Sequence, residues 1–328
     1  MAKKKKKVAV KGPDSVGTKQ RPVHTEILVR PIHRGVNDIG SWRSALRLAD
    51  LGNRTKLYDL FTDLLIDGYL SDAIDKRIDA VTDADLAFTI DGKQVDEMDA
   101  LMDTPEFESL LREIMLSRFW GVSLVECLFL DGFGFKSIPR KHIRTKTKEI
   151  AIREEDEHGI PYADNDLIIQ FGSDDDFGIL LRAAPFVIYK RGGFGDWAQF
   201  VELFGMPQRI GKYSSMDEQS RRALIQAFEE AGSAPYLVIP KETEATQTTL
   251  SSSGNGALYN DFRNACNEEI LITVLGQTMT TQDGSSLAQG QVHMAVQEKK
   301  HRADRRFVER MLNKYFVPLL EKRGYPAG

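Results

Sequence analysis

Only two of the 328 residues are cysteine, Cys127 and Cys266, so a disulfide framework is excluded and a reducing compartment fits. There is no C-x-x-C and no H-E-x-x-H, the spacings that place ligands around zinc. No apolar run approaches the roughly 20 residues that cross a bilayer. The lysine run Lys3 to Lys7 is not followed by an apolar stretch, so it does not read as a secretory signal. These absences predict a soluble chain, made inside the cell and without a membrane partner.

Signs of catalysis are equally sparse. No G-x-S-x-G nucleophile elbow occurs. Gly211-Lys212 ends like a phosphate-binding loop, but Tyr213 stands where Ser or Thr is required. His293 and His301 lie eight positions apart, off the i, i+4 spacing that suits a metal, and are expected to face solvent. The acidic run Asp174-Asp175-Asp176 reads as the N-cap of a following helix rather than as a magnesium site. No catalytic residue, metal ligand or cofactor is therefore assigned. Zinc fingers, RNA-binding aromatic pairs and basic recognition helices are also missing.

What is present is a chain that is 41% hydrophobic and 28% charged, long enough for two or three structural units. The formal net charge is −4, unevenly placed. Residues 1–35 carry +8, leaving −12 on the rest. Residues 1–40 read as a flexible basic arm, a stretch of lysines broken by Gly and Pro. The acidic remainder is unsuited to gripping nucleic acid, because tight binding needs many cation–phosphate contacts.

Patterning predicts a mixed α+β unit over 41–175. Leu57, Leu60, Phe61, Leu64 and Leu65 follow helical spacing. Ser71 is expected to cap a helix bearing Ile74, Ile78 and Val81. Leu86–Ile90 reads as a strand ending at Asp91-Gly92, and Thr104-Pro105 opens another helix with Phe107, Leu110, Leu111, Ile114 and Met115 inward. Short strands are expected at 123–130, 133–138, 150–154 and 166–171. A helix over 178–204 follows, weakened by Gly192, Gly193 and Gly195, which imply a kink or a close helix approach. Next come a small α+β insertion, with strands at 207–213, 236–239 and 245–250 around a helix over 216–231, and a flexible 251–256 loop. A helix over 257–275 and a polar loop, 278–286, precede a long helix over 287–320. That last helix would span roughly 50 Å at ~1.5 Å per residue, with Val292, Val296, Ala303, Phe307 and Met311 along its apolar stripe.

Three stretches together resemble a known family. They are Trp197, Phe200, Glu202 and Phe204-Gly205-Met206-Pro207 followed by Arg209 and Gly211-Lys212-Tyr213; Leu275-Gly276-Gln277-Thr278 with Thr280-Thr281; and Ala288, Gly290, His293, Val296, Lys299 and Ala303-Asp304-Arg305, followed by Leu312-Asn313 and Pro318. In order and spacing they resemble the portal proteins of Mu-like tailed bacteriophages. The likeness is concentrated between about 170 and 323.

That resemblance implies a phage portal fold: a wing (41–177), a two-helix stem (178–204 and 257–277), an inserted α/β clip (205–256), a tunnel loop (278–286) and a long C-terminal helix with a short tail (287–328). It implies a homo-oligomeric ring, twelve subunits in the usual case, at a unique capsid vertex of the virion, assembled in the host bacterial cytoplasm. Double-stranded DNA would pass through non-specifically during packaging and ejection. The terminase large subunit, the head-tail adaptor, and the major capsid protein or scaffold would be partners. Thr278, Thr280, Thr281, Gln282, Asp283, Ser285 and Ser286 would face DNA with hydroxyls and amides. Glu218, Arg221, Arg222, Glu229 and Glu230 would form the clip's partner or inter-subunit surface. A separate ATPase would drive transport, so no enzymatic activity is expected. The alternative is a monomeric DNA-processing or packaging-associated enzyme.

Overall fold

Local capping sets where the first helices begin. In the computed structural model, which describes residues 22–30, 38–129, 132–204, 209–214, 216–230, 236–241, 252–277 and 287–327, a 3₁₀ turn (Val23–Thr25) precedes α1 (Ile39–Asp50), α2 (Thr55–Leu64) and α3 (Gly68–Thr82). Leu57, Leu60, Phe61 and Leu64 are buried, as their spacing predicts. The cap of α3 is Asp67, whose carboxylate accepts from the Tyr69 and Leu70 amides at 3.1 Å; Ser71 lies inside the helix instead.

The strand expected at Leu86–Ile90 is shorter, β1 (Thr89–Ile90), and it pairs in a hairpin with β2 (Lys93–Gln94). Asp91 and Gly92 turn it with φ of 51° and 75°, the paired left-handed geometry of a tight two-residue hairpin. After α4 (Asp96–Met102), Thr104 caps α5 (Pro105–Trp120) by accepting from the Phe107 amide at 3.3 Å. The predicted inward face of α5 is buried. It packs on an antiparallel sheet ordered β4 (Gly134–Ile138), β3 (Val122–Leu128), β8 (Ile168–Gly172). A smaller antiparallel sheet joins β5 (Ile143–Arg144), β6 (Glu149–Ile150) and β7 (Ile160–Pro161).

Next come α6 (Leu180–Phe204), β9 (Arg209–Tyr213), α7 (Glu218–Glu230), β10 (Tyr236–Pro240) and α8 (Ser252–Leu275). β9 and β10 pair in parallel across α7. Gly211 lies mid-strand, opposite Val238, where a Cβ would come within 2.9 Å of the Phe228 ring. Gly211-Lys212 is thus a packed strand and not a phosphate loop. The backbone is already helical from Ser252, so most of the loop expected at 251–256 is helix: low Ser and Gly propensity is a weak prior once a helix propagates. The strand expected at 245–250 lies outside the described residues.

The long terminal helix is interrupted. It comprises α9 (Leu287–Met311), a π-helical turn (Leu312–Phe316) and α10 (Val317–Lys322). Pro318 has no N–H to give back to the preceding turn, which explains the widened ladder there. At ~1.5 Å per residue α9 spans about 37 Å, and with the π-helical turn and α10 the helical run over 287–322 reaches roughly the 50 Å expected.

By packing, the chain divides into one compact unit from residues 1–188 with 268–328, and another from Tyr189–Asn267. The observed class is mixed helix and sheet, as predicted.

Candidate functional site

A buried ionic node organises the larger unit. Arg77 of α3 donates from Nε to Asp304 Oδ2 at 2.8 Å and from Nη2 to Asp304 Oδ1 at 2.6 Å. Its Nη1 donates to the Val274 carbonyl of α8 at 3.0 Å. Arg118 of α5 reaches the same Asp304 Oδ1 at 2.6 Å. Arg77 and Asp304 are 1% and 0% exposed, and their pairing and hydrogen bonds offset the cost of burying both charges. The Phe119 and Phe307 rings lie under the Arg77 and Arg118 guanidiniums, each at 5.1 Å.

Lys300, one turn before Asp304, adds a further cation. Its ammonium lies over the end of α8, where a Cβ on Gly276 (φ +78°) would come within 3.2 Å of Nζ. Burial, with Arg77 and Arg118 nearby, pushes its pKa down to about 8, only partly opposed by Asp304.

The node forms one wall of a cavity of about 660 Å³. Arg77, Arg118, Arg182, Lys300 and Arg310 line it, against Asp176. Glycine brings its other walls together. A Cβ on Gly121 (φ +89°) would lie 2.1 Å from the Asp176 carbonyl, and one on Gly172 (φ +89°) 2.2 Å from the Gly121 carbonyl. The end of α5, the end of β8 and the approach to α6 therefore cross closer than any larger residue permits.

The node also turns α9. Val296 and Ala303 are exposed, while Asp304 and Val308 are buried; Phe307 and Met311 are half-buried, and the Val292 side chain lies outside the described residues. The expected apolar stripe is offset by about one residue because Arg77 holds Asp304 inward. His301 is half-buried, with its pKa lowered by burial, rather than solvent-facing. The side chain of His293 is outside the described residues.

Asp174-Asp175-Asp176 does not cap α6. Asp174 pairs with Lys148 at 2.6 Å, Asp176 accepts from the Gly178 amide at 2.8 Å, and the Asp174 and Asp176 carbonyls receive Arg54. Among the described residues no group of three or more His, Cys, Asp or Glu is placed to hold a metal ion. Cys127 is buried and its thiol pushed up to about 12 by burial first and then Glu126, which makes it a poor nucleophile.

A second built feature anchors the N-terminal segment. Glu126, buried on central strand β3, accepts from the Val23 amide at 2.7 Å, the His24 amide at 2.9 Å and His24 Nδ1 at 2.6 Å.

In the smaller unit, α6 and α8 pair through aromatics. Trp197 stacks on Tyr259 with centroids 6.3 Å apart and planes at 3°. A Cβ on Gly193 would meet Phe262 at 2.9 Å, whereas one on Gly192 or Gly195 meets nothing within 4 Å. Close approach accounts for Gly193, and α6 stays continuous. Tyr189, Phe194, Val201, Leu258 and Phe262 remain exposed.

The residues expected at the clip lie on α7, where they mostly satisfy one another. Glu218 pairs with Arg221 at 2.7 Å and Arg222 at 3.7 Å, and Glu230 accepts from Gln226 at 2.9 Å; Glu229 is exposed. The loop carrying Thr278, Thr280, Thr281, Gln282, Asp283, Ser285 and Ser286 lies outside the described residues. Sequence reasoning missed Arg77, Arg118, Lys300 and Glu126. One signal was available: Asp304 is the single acid between Glu298 and Glu309 in a run of cations.

A family model for the portal protein of Mu bacteriophage matches residues 58–328. The chain belongs to the Mu portal family. The portal protein of Escherichia phage Mu is 29% identical over 140 residues, covering 42% of this chain and 27% of that protein. The Mu-like prophage FluMu protein gp29 of Haemophilus influenzae is 29% identical over 124 residues, covering 37% and 24%. The matched segments thus span about a quarter of the length of those relatives. The family match begins inside α2 and takes in every element from α3 onward, including all three arms of the ionic node. Among the described residues no helix is long and apolar enough to cross a membrane.

Proposed function

We propose that this chain is the subunit of a phage portal: a homo-oligomeric ring, twelve copies in the usual case, at a unique capsid vertex. Double-stranded DNA passes through it during packaging and ejection. The observation that carries the reading is the family match across 58–328. A ring subunit also needs surface to spare for its neighbours. The exposed aromatic and aliphatic side chains of α6 and α8 fit that need, since monomers rarely leave such patches bare. Residues 41–177 act as wing, 178–204 and 257–277 as stem, 205–256 as clip, 278–286 as tunnel loop and 287–328 as the C-terminal helix. The protein resides in the virion after assembly in the host cytoplasm. Its partners are the terminase large subunit, then the head-tail adaptor, with capsid or scaffold around the ring.

The physics suits a conduit. A charge of −12 outside the first 35 residues, repeated around a ring, repels a duplex from the wall and lets it slide. Hydroxyl and amide contacts from the tunnel loop are indifferent to base identity. Terminase supplies the ATP-driven work, and this chain is not an enzyme.

Native mass spectrometry with particle imaging tests the reading. Closed rings with an axial opening wide enough for B-form DNA are expected, and a chain that stays monomeric at micromolar concentration overturns it. Deleting 278–286 should leave rings intact and block packaging; normal packaging refutes the tunnel-loop role. Divalent-dependent nuclease or ATPase turnover would favour the DNA-processing alternative.

A further inference from the structure

The larger unit carries two hollows of opposite charge. The cavity of about 660 Å³ beside the node has five cations and one carboxylate, Asp176, in its lining. Of these, Arg182 and Arg310 are exposed, and their side chains have no hydrogen bond or ion pair among the described residues. A second hollow, of about 380 Å³, is lined by Asp85, Asp99, Asp103 and Glu108 and, among the described residues, by no Lys or Arg. Asp99 is engaged with the Phe88 amide and Gln94, but Asp85, Asp103 and Glu108 are exposed and unpaired among the described residues. The acidic hollow adjoins an apolar groove, sharing Ala84, Leu86 and Met102 with it, and Leu86 is 44% exposed.

Helix α9 lies between the cationic cavity and that apolar groove. Its residues 300, 303, 307 and 310 line the cationic cavity, and 305 and 309, with Leu312 of the π-helical turn that continues the helix, line the apolar groove. At about 100° per residue these rows fall on either side of the buried Asp304–Val308 row. Each side combines half-buried apolar side chains with charge, the usual composition of an interface core and rim.

We propose that the cationic cavity beside α9 receives carboxylates from a second copy of this chain, presented by the acidic hollow of Asp85, Asp103 and Glu108 on the other flank. This rests on the ring reading and names the contact that builds the ring. Opposed charges on opposite flanks cannot pair two-fold, because that brings like to like. They pair head-to-tail, the heterologous arrangement that closes into a ring. A DNA phosphate would suit the cations alone and would leave the acidic hollow without a counterpart.

The test uses the full chain with exposed residues, sparing the node. Arg182→Glu with Arg310→Glu makes both flanks acidic, and Asp103→Lys with Glu108→Lys makes both basic. Each pair should raise the concentration needed for assembly at least ~10-fold by sedimentation velocity at physiological salt. An equimolar mixture of the two variants should assemble like wild type, as alternating copies, which also shows that both are folded. Unchanged assembly of either variant, or a mixture that stays dissociated, overturns the proposal while the ring stands. A wild-type chain that never assembles removes the ring reading itself. If Arg182→Glu with Arg310→Glu abolishes binding of a 20-base-pair duplex but leaves assembly intact, the cavity belongs to phosphate and the proposal falls.

Discussion

Arg77 and Asp304 stand 227 positions apart in the chain, yet they share two hydrogen bonds, at 2.8 and 2.6 Å, where neither is more than 1% exposed. The pair ties α3 to α9, and the third Arg77 bond adds the Val274 carbonyl near the end of α8. Removing one partner leaves the other charged and dry. Asp304→Asn should therefore destabilise the larger unit by about 3–5 kcal/mol in urea unfolding. Arg77→Met with Asp304→Leu should cost far less than the two single changes added together, because apolar packing replaces a pair whose desolvation offsets most of its attraction. Additive losses in that cycle would show that the two residues do not act as a pair.

Lys300 is the cation this arrangement tolerates least. Burial first, then Arg77 from α3 and Arg118 from α5, opposed by Asp304 on its own helix, lower its pKa to about 8 from an ordinary 10.5. Between those values the unfolded chain binds more protons than the folded one, so stability rises with pH across that window. Below pH 8 both states are charged and the folded state bears the full penalty. Lys300→Met should thus stabilise the chain at pH 7 by about 1 kcal/mol, a figure discounted for the half-exposed ammonium. The advantage over wild type should shrink as pH rises from 8 to 10.5. If Lys300 also receives a neighbour's carboxylates, the same substitution weakens assembly while raising the melting temperature. A constant difference between wild type and variant across pH 7–10.5 would remove the electrostatic account.

Much of the fold was legible in short-range pattern. The α2 and α5 faces obey helical spacing, and Thr104-Pro105 opens α5 as its residue types require. What escaped was non-local. Nothing adjacent to Arg77 marks it as internal, since its partner is 227 positions away. Asp304 broke the expected stripe on α9 because a buried ion pair outweighs an apolar period. Glu126 sits in a strand that otherwise reads as core, and its reason for being there lies more than 100 residues earlier. The cap of α3 was misplaced by competition between neighbours: Asp67 and Ser71 are both good cap residues, and the carboxylate sits where the helix begins.

Two adjacent glycines on α6 separate propensity from packing. At Gly192 a Cβ meets nothing within 4 Å, so Gly192→Ala should stabilise by about 0.5–1 kcal/mol through helix propensity. At Gly193 a Cβ meets Phe262 at 2.9 Å, so Gly193→Ala should lose that gain and Gly193→Val should cost at least ~1–3 kcal/mol as α6 and α8 are pushed apart. Thermal melts of the three variants decide it; equal effects at 192 and 193 would mean the two helices do not meet there.

The Glu126 clamp gives a prediction that reads on a defined segment. One buried carboxylate holds two consecutive backbone amides and the His24 ring, all within 2.9 Å. These are charge-assisted bonds to an acceptor with little access to water. Glu126→Gln keeps the shape and one carbonyl acceptor, but it turns the other oxygen into a donor facing a donor. The Val23–Thr25 turn should loosen at a cost of about 1–3 kcal/mol, with faster hydrogen exchange at the Val23 and His24 amides. Residues 27–30 should follow only in part, because the Leu28 amide keeps its bond to the Ile152 carbonyl at 3.0 Å and Arg30 its exposed pair with Glu155. His24→Ala, which removes the ring and spares both amide bonds, should leave exchange at Val23 near wild type. If His24→Ala loosens the turn as much as Glu126→Gln, the anchor is the imidazole and not the carboxylate's grip on the backbone.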